Sequence, residues 1–280
     1  MTAAEEADVS GEQMICLVLY FYAVRDPFWL RPFWEFARSA LAGVGTPITA
    51  WSLGEGRKDT AVREGRTPKT GSDGVERVVR RYEKASVSSF EVYAWPGRGQ
   101  ITMDADGFAS MDFPCKWHAS GNVTLIVRAQ SACTTATWAE RVRSVNTFAD
   151  VRYGFVTRFP RSKAPVFYFG SDQGTNRQTK EERAVLRGWR ATGRPNIGTR
   201  IRDTFWGNVI SEGHVPGRKG ALRSLARDLA ASGALVDEVA EGMLFFAAKN
   251  HARKSIARMS AVLEGHGVRR YDHEMLSAGT

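Results

Sequence analysis

Several features that would assign a protein to a class are missing from this sequence. The chain has no run of about 18 apolar residues, so no membrane-spanning helix is expected. The stretch from Thr2 to Gln13 is small, polar and acidic, without the basic segment and apolar core of a secretory signal peptide. We therefore expect residues 1–13 to form a disordered N-terminus and the protein to be cytoplasmic.

Cysteine is scarce. Cys16, Cys115 and Cys133 are the only three, and no two are close enough in sequence to form a CxxC pair. An odd count without short spacing argues against a disulfide framework and against a zinc site. We expect three ordinary thiols.

Motifs for catalysis and cofactor binding are also missing. No G-x-S-x-G nucleophile turn occurs, and the glycines from Gly193 to Gly198 lack the Lys-Ser/Thr pair of a phosphate-binding loop. His266 and the run Asp272-His273-Glu274 resemble a metal cluster, but they fall in a C-terminal segment without the rigid support that metal ligands need. The sequence therefore predicts no catalytic residue, no cofactor, no metal and no enzyme activity.

Apolar residues make up 43% of the chain, enough to build a sizeable core. The nearly continuous apolar run from Met14 to Val24 is typical of a central strand covered on both faces. A helix is predicted from Trp29 to Leu41, with Pro32 in its first turn, and a second strand from Pro47 to Leu53.

The same order recurs later in the chain. A strand is predicted over Asn122 to Gln130 and another over Val151 to Phe159, with a helix between them that carries Trp138. We therefore predict an α+β (α/β-like) protein: a mixed, mainly antiparallel sheet, helices packed mostly on one side, and two pseudo-repeated strand-helix-strand halves. Residues 14–264 would form one compact domain with a pseudo-repeat boundary near 118–121, and 265–280 a flexible tail.

Two regions have little pattern. Gly54 to Gly74 has no apolar period and is predicted to be a mobile surface loop. Ser162 to Thr199 is the least regular part, with a short strand predicted at Val166 to Phe169 and helical turns at Lys180 to Trp189.

The stretch from Ile201 to Ala248 has the most consistent local pattern. It predicts a bend, a helix over Ala221 to Ala231 and a closing hairpin with its turn at Glu241-Gly242. The bend residues are interpreted as an internal structural joint, with the asparagine side chain bonding to the backbone. They are Phe205, Trp206 and Asn208.

Positive charge is concentrated in one part of the chain. The net charge is +9, and from Arg183 to Arg227 ten Lys or Arg face only Asp203 and Glu212. This run could steer an acidic partner or a nucleic acid, or it could be a solvated face of an arginine-rich protein. The candidate partner contacts are Arg183, Arg187, Arg190, Arg194, Arg200, Arg202 and His214.

The segment from Thr204 to Val215 (TFWGNVISEGHV), followed by Gly220-Ala221-Leu222, a helix, Gly242 and a terminal strand, resembles the C-terminal part of bacterial immunity proteins of type VI secretion and polymorphic toxin systems. The N-terminal strand and the helix with Trp34 are similar in order. The chain departs from the family pattern at Arg218-Lys219-Gly220, where a Leu-Gly-Gly-like helix entry is usual.

This resemblance implies a protein that binds and neutralises a cognate protein toxin through shape and charge complementarity without catalysis. An acidic surface on that toxin would suit the basic run. A membrane would not be a partner. One alternative is a basic nucleic-acid-associated protein, which is disfavoured because the basic run holds Trp189 as its one stacking aromatic before Arg202. Another is an enzyme of unrecognised type, which would need a concave pocket with perturbed carboxylates.

Overall fold

A computed structural model describes residues 12–55, 61–66, 71–85, 87–97, 101, 105–113, 120–129, 134–170, 177–217 and 220–271. Ten of its strands form one sheet: β1 (Gln13–Val24), β2 (Ile48–Glu55), β3 (Ala61–Arg66), β4 (Val87–Ala94), β5 (Gly107–Asp112), β6 (Gly121–Arg128), β7 (Ala149–Pro160), β9 (Gly207–Ser211), β10 (Leu235–Ala240) and β11 (Met243–Ala247). Two short strands, β8 (Arg200–Ile201) and β12 (Arg269–Arg270), pair separately.

The strand order across the large sheet is β10-β11-β9-β7-β1-β6-β5-β4-β2-β3. Each strand in it is antiparallel to its neighbours, whereas β8 and β12 are parallel. The predicted α+β class with a mixed, mainly antiparallel sheet is therefore confirmed. As predicted, β1 lies in the interior of the sheet, between β7 and β6.

Six α-helices are described: α1 (Leu30–Leu41), α2 (Gly71–Tyr82), α3 (Thr135–Phe148), α4 (Lys180–Gly188), α5 (Ala221–Ala231) and α6 (Arg253–Gly265). Helix α3 is capped at its N-terminus, where the Thr134 hydroxyl accepts a hydrogen bond from the backbone N–H of Thr137. Within the described chain, no helix combines the length and the apolar character that crossing a bilayer requires.

Strand β1 shows how both faces of the sheet are covered. Successive side chains alternate between the faces, and Met14 through Phe21 are all buried. Phe21 lies against Phe113 on the face that carries α1, α2 and α3, which pack beside one another. Tyr20 points to the opposite face, where it contacts Trp189. Helices α1 to α3 thus agree with the prediction that the helices pack mostly on one side of the sheet. The second face is covered by the chain around Trp189.

The strand-helix-strand order recurs, but its placement in the sheet differs. From β1, helix α1 leads to β2, which is separated from β1 by three strands; from β6, helix α3 leads to β7, which is separated from β6 by β1 alone. Since β1 pairs directly with β6, the segments on either side of the predicted boundary near 118–121 share one sheet.

Two local predictions were wrong. Part of the predicted loop from Gly54 to Gly74 forms strand β3, whose polar sequence lacks apolar alternation, and α2 already begins at Gly71. The predicted strand at Val166 to Phe169 is a π-helical turn, Val166–Gly170. Its bulky residues favour a strand locally, but the left-handed backbone of Ala164 (φ 50) and the packing of Phe169 on Phe155 impose a turn.

Candidate partner-binding surface

The arginine-rich segment begins with α4, which has a complete N-terminal cap. The Thr179 hydroxyl accepts from the Glu182 N–H at 3.1 Å, and the Glu182 carboxylate accepts from the Thr179 N–H at 2.7 Å. This reciprocal pair satisfies two donors that a helix start leaves open. The chain then continues as a π-helix, Trp189–Gly193, and a 3-10 turn, Arg194–Asn196.

Trp189 fixes this segment on the centre of the sheet. Its ring is fully buried, and Nε1 donates to the hydroxyl of Tyr20 on β1 at 3.1 Å. A side chain at Gly193 would overlap the Trp189 ring, so the glycine permits the π-helical turn to close over the indole. The segment is therefore held by β1 and does not project from the molecule.

Arg194 is a buried residue, with 2% of its surface exposed. Its guanidinium donates to the Ser120 carbonyl at 2.6 Å and to Asn122 Oδ1 at 3.1 Å, and it lies 5.5 Å from the Tyr20 ring centroid. These acceptors offset the cost of burying the charge, and at this exposure the guanidinium is not open to a partner. This corrects its prediction as a surface contact.

Arg202 is buried as well, at 4% exposure. Its guanidinium donates to the Tyr168 hydroxyl at 3.2 Å and lies 5.7 Å from the Phe155 ring centroid. The backbone N–H of Arg202 donates to the hydroxyl of Tyr153 at 2.9 Å. Like Arg194, it belongs to the core, because Phe155 of β7 and the rings of Tyr168 and Phe169 in the π-helical turn surround its guanidinium.

His214 also lies in the interior, with 1% exposure. Its Nδ1 lies 3.2 Å from the backbone N of Ser211, which is the geometry of an acceptor. Burial lowers the pKa of His214 to about 4, and backbone groups of Ser211, Ile197 and Arg200 offset part of that effect. The imidazole is therefore neutral at physiological pH and would not serve as a charged contact.

The remaining predicted contacts are accessible to solvent. Arg183, Arg187 and Arg190 follow one another at i, i+4 and i+7, a spacing that places them along one side of α4 and the turn after it. Arg187 is exposed, whereas Arg183, Arg190 and Arg200 are partly exposed. We refer to Arg183, Arg187 and Arg190 as the arginine stripe.

The predicted joint residues lie at the bend before β9. The Asn208 side chain is fully buried and bonds twice to the backbone of Phe205: it accepts from the N–H at 3.0 Å and donates to the carbonyl at 2.8 Å. The Phe205 ring stacks on Phe155 with centroids 4.1 Å apart. These bonds fix the direction in which β9 enters the sheet.

Trp206 connects the same bend to the end of β11. Its Nε1 donates to the Ala248 carbonyl at 2.9 Å, and His251 stacks on the indole at 4.2 Å. The Ala248 N–H in turn donates to the Trp206 carbonyl at 2.9 Å. Trp206 thus packs against the chain after β11, a role that accounts for its burial without a ligand.

The residues considered for metal binding do not converge in the part of the chain that is described, where no group of three or more His, Cys, Asp or Glu side chains is suited to a metal. His266 Nε2 lies 2.9 Å from Asp228 Oδ2 on α5, a contact within the fold. Asp272, His273 and Glu274 lie outside the described residues, as do Cys115 and Cys133.

Sequence reasoning missed an open groove between α1 and α3. It has a volume of 520 Å³. Phe36, Ala40 and Phe148 are buried residues that line it, and Glu35 and Glu140 are exposed residues that line it. The two helices are far apart in sequence, so no local pattern could indicate the groove. We refer to it as the α1–α3 groove.

Fold and surface together define an α+β protein built on a ten-stranded antiparallel sheet, with an arginine stripe on one face and an open groove on the other. No protein-family model and no curated protein matches the chain. Among solved structures, the chain is similar to Pseudomonas aeruginosa T6SS protein PA0821, with a TM-score of 0.58 and 11% identity over 92% of this chain and 74% of that chain. At this identity the likeness shows the shared fold.

Proposed function

We propose that this protein is an immunity protein that binds and neutralises a cognate toxin of a type VI secretion system in the cytoplasm, without catalysis. The observation that carries the proposal is the shared fold over 92% of the chain with a protein whose name places it in such a system. The resemblance of Thr204 to Val215 to immunity proteins points in the same direction.

The arginine stripe supports the proposal as a contact surface. Three guanidiniums along one side of α4 and the π-helical turn after it would meet a toxin surface that carries carboxylates, and Arg side chains are frequent anchors in protein interfaces. Because Trp189 anchors this segment on β1, the backbone that carries the stripe needs no rearrangement on binding, which lowers the entropic cost of association.

Co-expression with the product of the neighbouring gene tests the proposal. The unaltered chain is expected to restore growth and to co-purify with that product. The triple variant Arg183→Glu, Arg187→Glu, Arg190→Glu should lose both effects, because like charges then face each other across the interface. A matched control variant replaces three exposed arginines of α2 with glutamate, namely Arg77, Arg80 and Arg81. It should still restore growth and co-purify with the product of the neighbouring gene. Absence of both complex and rescue with the unaltered chain would end the proposal.

Nucleic-acid binding is the alternative function that the net charge of +9 favours. It predicts an affinity for duplex or single-stranded DNA that falls steeply with salt, because bound cations are released from the phosphates. A salt titration of the unaltered chain with labelled DNA separates the two functions: a flat response removes the alternative, and a steep one with no toxin complex favours it.

A further inference from the structure

The α1–α3 groove has the form of a docking site. Its floor is aromatic, with the rings of Phe36 and Phe148 at 6.5 Å between centroids. Its volume of 520 Å³ is large enough for one or two bulky side chains. Ser39 and Ser144 stand on its two walls as exposed hydroxyls. An apolar floor between polar walls suits an amphipathic occupant.

The charge that lines the groove is acidic in its accessible part. Glu35 and Glu140 are exposed on opposite helices. Arg141 also lines the groove, but its guanidinium lies 4.5 Å from the Trp138 ring centroid and 3.4 Å from the Ala40 carbonyl at the end of α1. Its charge is thus directed at the helix C-terminus. Both carboxylates are accessible to an occupant, Glu140 as the exposed partner of Arg143 in an ion pair within α3.

The acidic character extends from the groove to the edge strand β10. Arg143 on α3 bonds to Glu140 and to Asp237 at 2.5 Å each, and to the Glu238 carbonyl at 3.3 Å. Four carboxylates therefore accompany two guanidiniums, a net charge of −2 within a chain of net charge +9. The members of this acidic band are Glu35, Glu140, Asp237 and Glu238, with Arg141 and Arg143.

We propose that the α1–α3 groove binds a basic amphipathic segment of another protein. An apolar side chain of the segment enters above Phe36 and Phe148, and its Lys or Arg side chains meet Glu35 and Glu140. The inference does not depend on the proposed function, because the arginine stripe lies on the other face of the sheet and would attract a partner of opposite charge.

The affinity of the chain for two labelled helical peptides tests whether the α1–α3 groove binds a basic amphipathic segment. One is built of leucine and lysine, and the other, with the same pattern, of leucine and glutamate. The lysine peptide is expected to bind the unaltered chain and the glutamate peptide is not. Ser144→Trp, which fills the groove, and the double variant Glu35→Lys, Glu140→Lys should each weaken the lysine peptide at least about tenfold, or about 1.4 kcal/mol.

Two controls keep the result specific. Ala136→Trp places the same side chain on an exposed position of α3 that does not line the groove, and Glu181→Lys reverses an exposed carboxylate on α4; both should leave binding unchanged. Thermal unfolding confirms that each variant is folded.

The inference is overturned if the lysine peptide does not bind, or if the groove variants bind it as well as the controls do. It is also overturned if sedimentation shows that the chain self-associates and that Glu35→Lys, Glu140→Lys abolishes this. The occupant would then be the arginine stripe of a second copy.

Discussion

Two buried arginines differ most from the role that the sequence predicted for them. Arg194 and Arg202 belong to a run of charges that looks like a continuous basic surface, yet both lie in the interior. Their partners Ser120 and Tyr168 come from other parts of the chain. No local pattern reports such partners, so only Arg183, Arg187, Arg190 and Arg200 of the predicted arginine contacts remain accessible.

Arg194→Ala is expected to lower the free energy of unfolding by about 3 kcal/mol, because it leaves the Ser120 carbonyl and Asn122 buried without their charged donor. Arg187→Ala, which removes an exposed arginine seven residues earlier, should change it by less than about 0.5 kcal/mol. Urea denaturation measures both. Equal losses would show that Arg194 does not stabilise the core as described.

His214 should make the stability depend on pH. In the folded protein its pKa is about 4 because it is buried, whereas the ordinary value is 6.5. Between these values the unfolded chain binds more protons, so the free energy of unfolding falls as the pH is lowered through this window. From pH 7.5 to pH 5 the expected loss from this residue is about 2 kcal/mol.

Urea denaturation of the unaltered chain and of His214→Asn at these two pH values provides the measurement. Asparagine retains an acceptor near the Ser211 N–H but does not titrate, so the variant should lose less stability on acidification. Burial also lowers the pKa of the half-buried His251 to about 4, and that contribution persists in the variant. Identical pH dependence in both proteins would contradict the role assigned to His214.

At the scale of elements, the sequence predicted the apolar and amphipathic segments well. Strand β1, helix α1, helix α3 and the hairpin β10–β11 agree with the predicted positions to within a few residues, because burial on a fixed period determines each of them. Strand β3 could not be predicted, since its polar sequence pairs only at the edge of the sheet next to β2. The π-helical turns depend on contacts with distant rings, which have no local signal.

Close packing of β7 on β1 depends on Gly154. A Cβ atom there would lie 2.5 Å from Leu19 Cδ2 and 2.7 Å from the Val18 carbonyl oxygen. Gly154→Ala is therefore expected to lower the free energy of unfolding by about 1 to 3 kcal/mol through overpacking. Gly43→Ala meets no atom within 4 Å and should be neutral or stabilising by about 0.4 to 1 kcal/mol. Equal free energies of unfolding for the two variants in chemical denaturation would contradict this account.

At the scale of the whole molecule, the sheet separates two surfaces of different chemistry. The arginine stripe and the α1–α3 groove lie on opposite faces. A partner on one face therefore does not block the other, and substitutions in the stripe and in the groove should act independently of each other. If the protein is an adaptor, the stripe variants lose one partner and the groove variants lose the other. If it neutralises a single toxin, only one of the two sets of variants loses binding.

The central position of β1 also has a consequence for synthesis on the ribosome. Its partners are β6 and β7, and the pairing Phe21↔Gly121 joins residues a hundred positions apart. This apolar strand is thus synthesised before both of its partners and remains unpaired until they have emerged. During that interval an unpaired apolar strand is exposed to other nascent chains, so a chaperone that shields nascent chains would act on β1 until the chain through Pro160, the end of β7, has emerged.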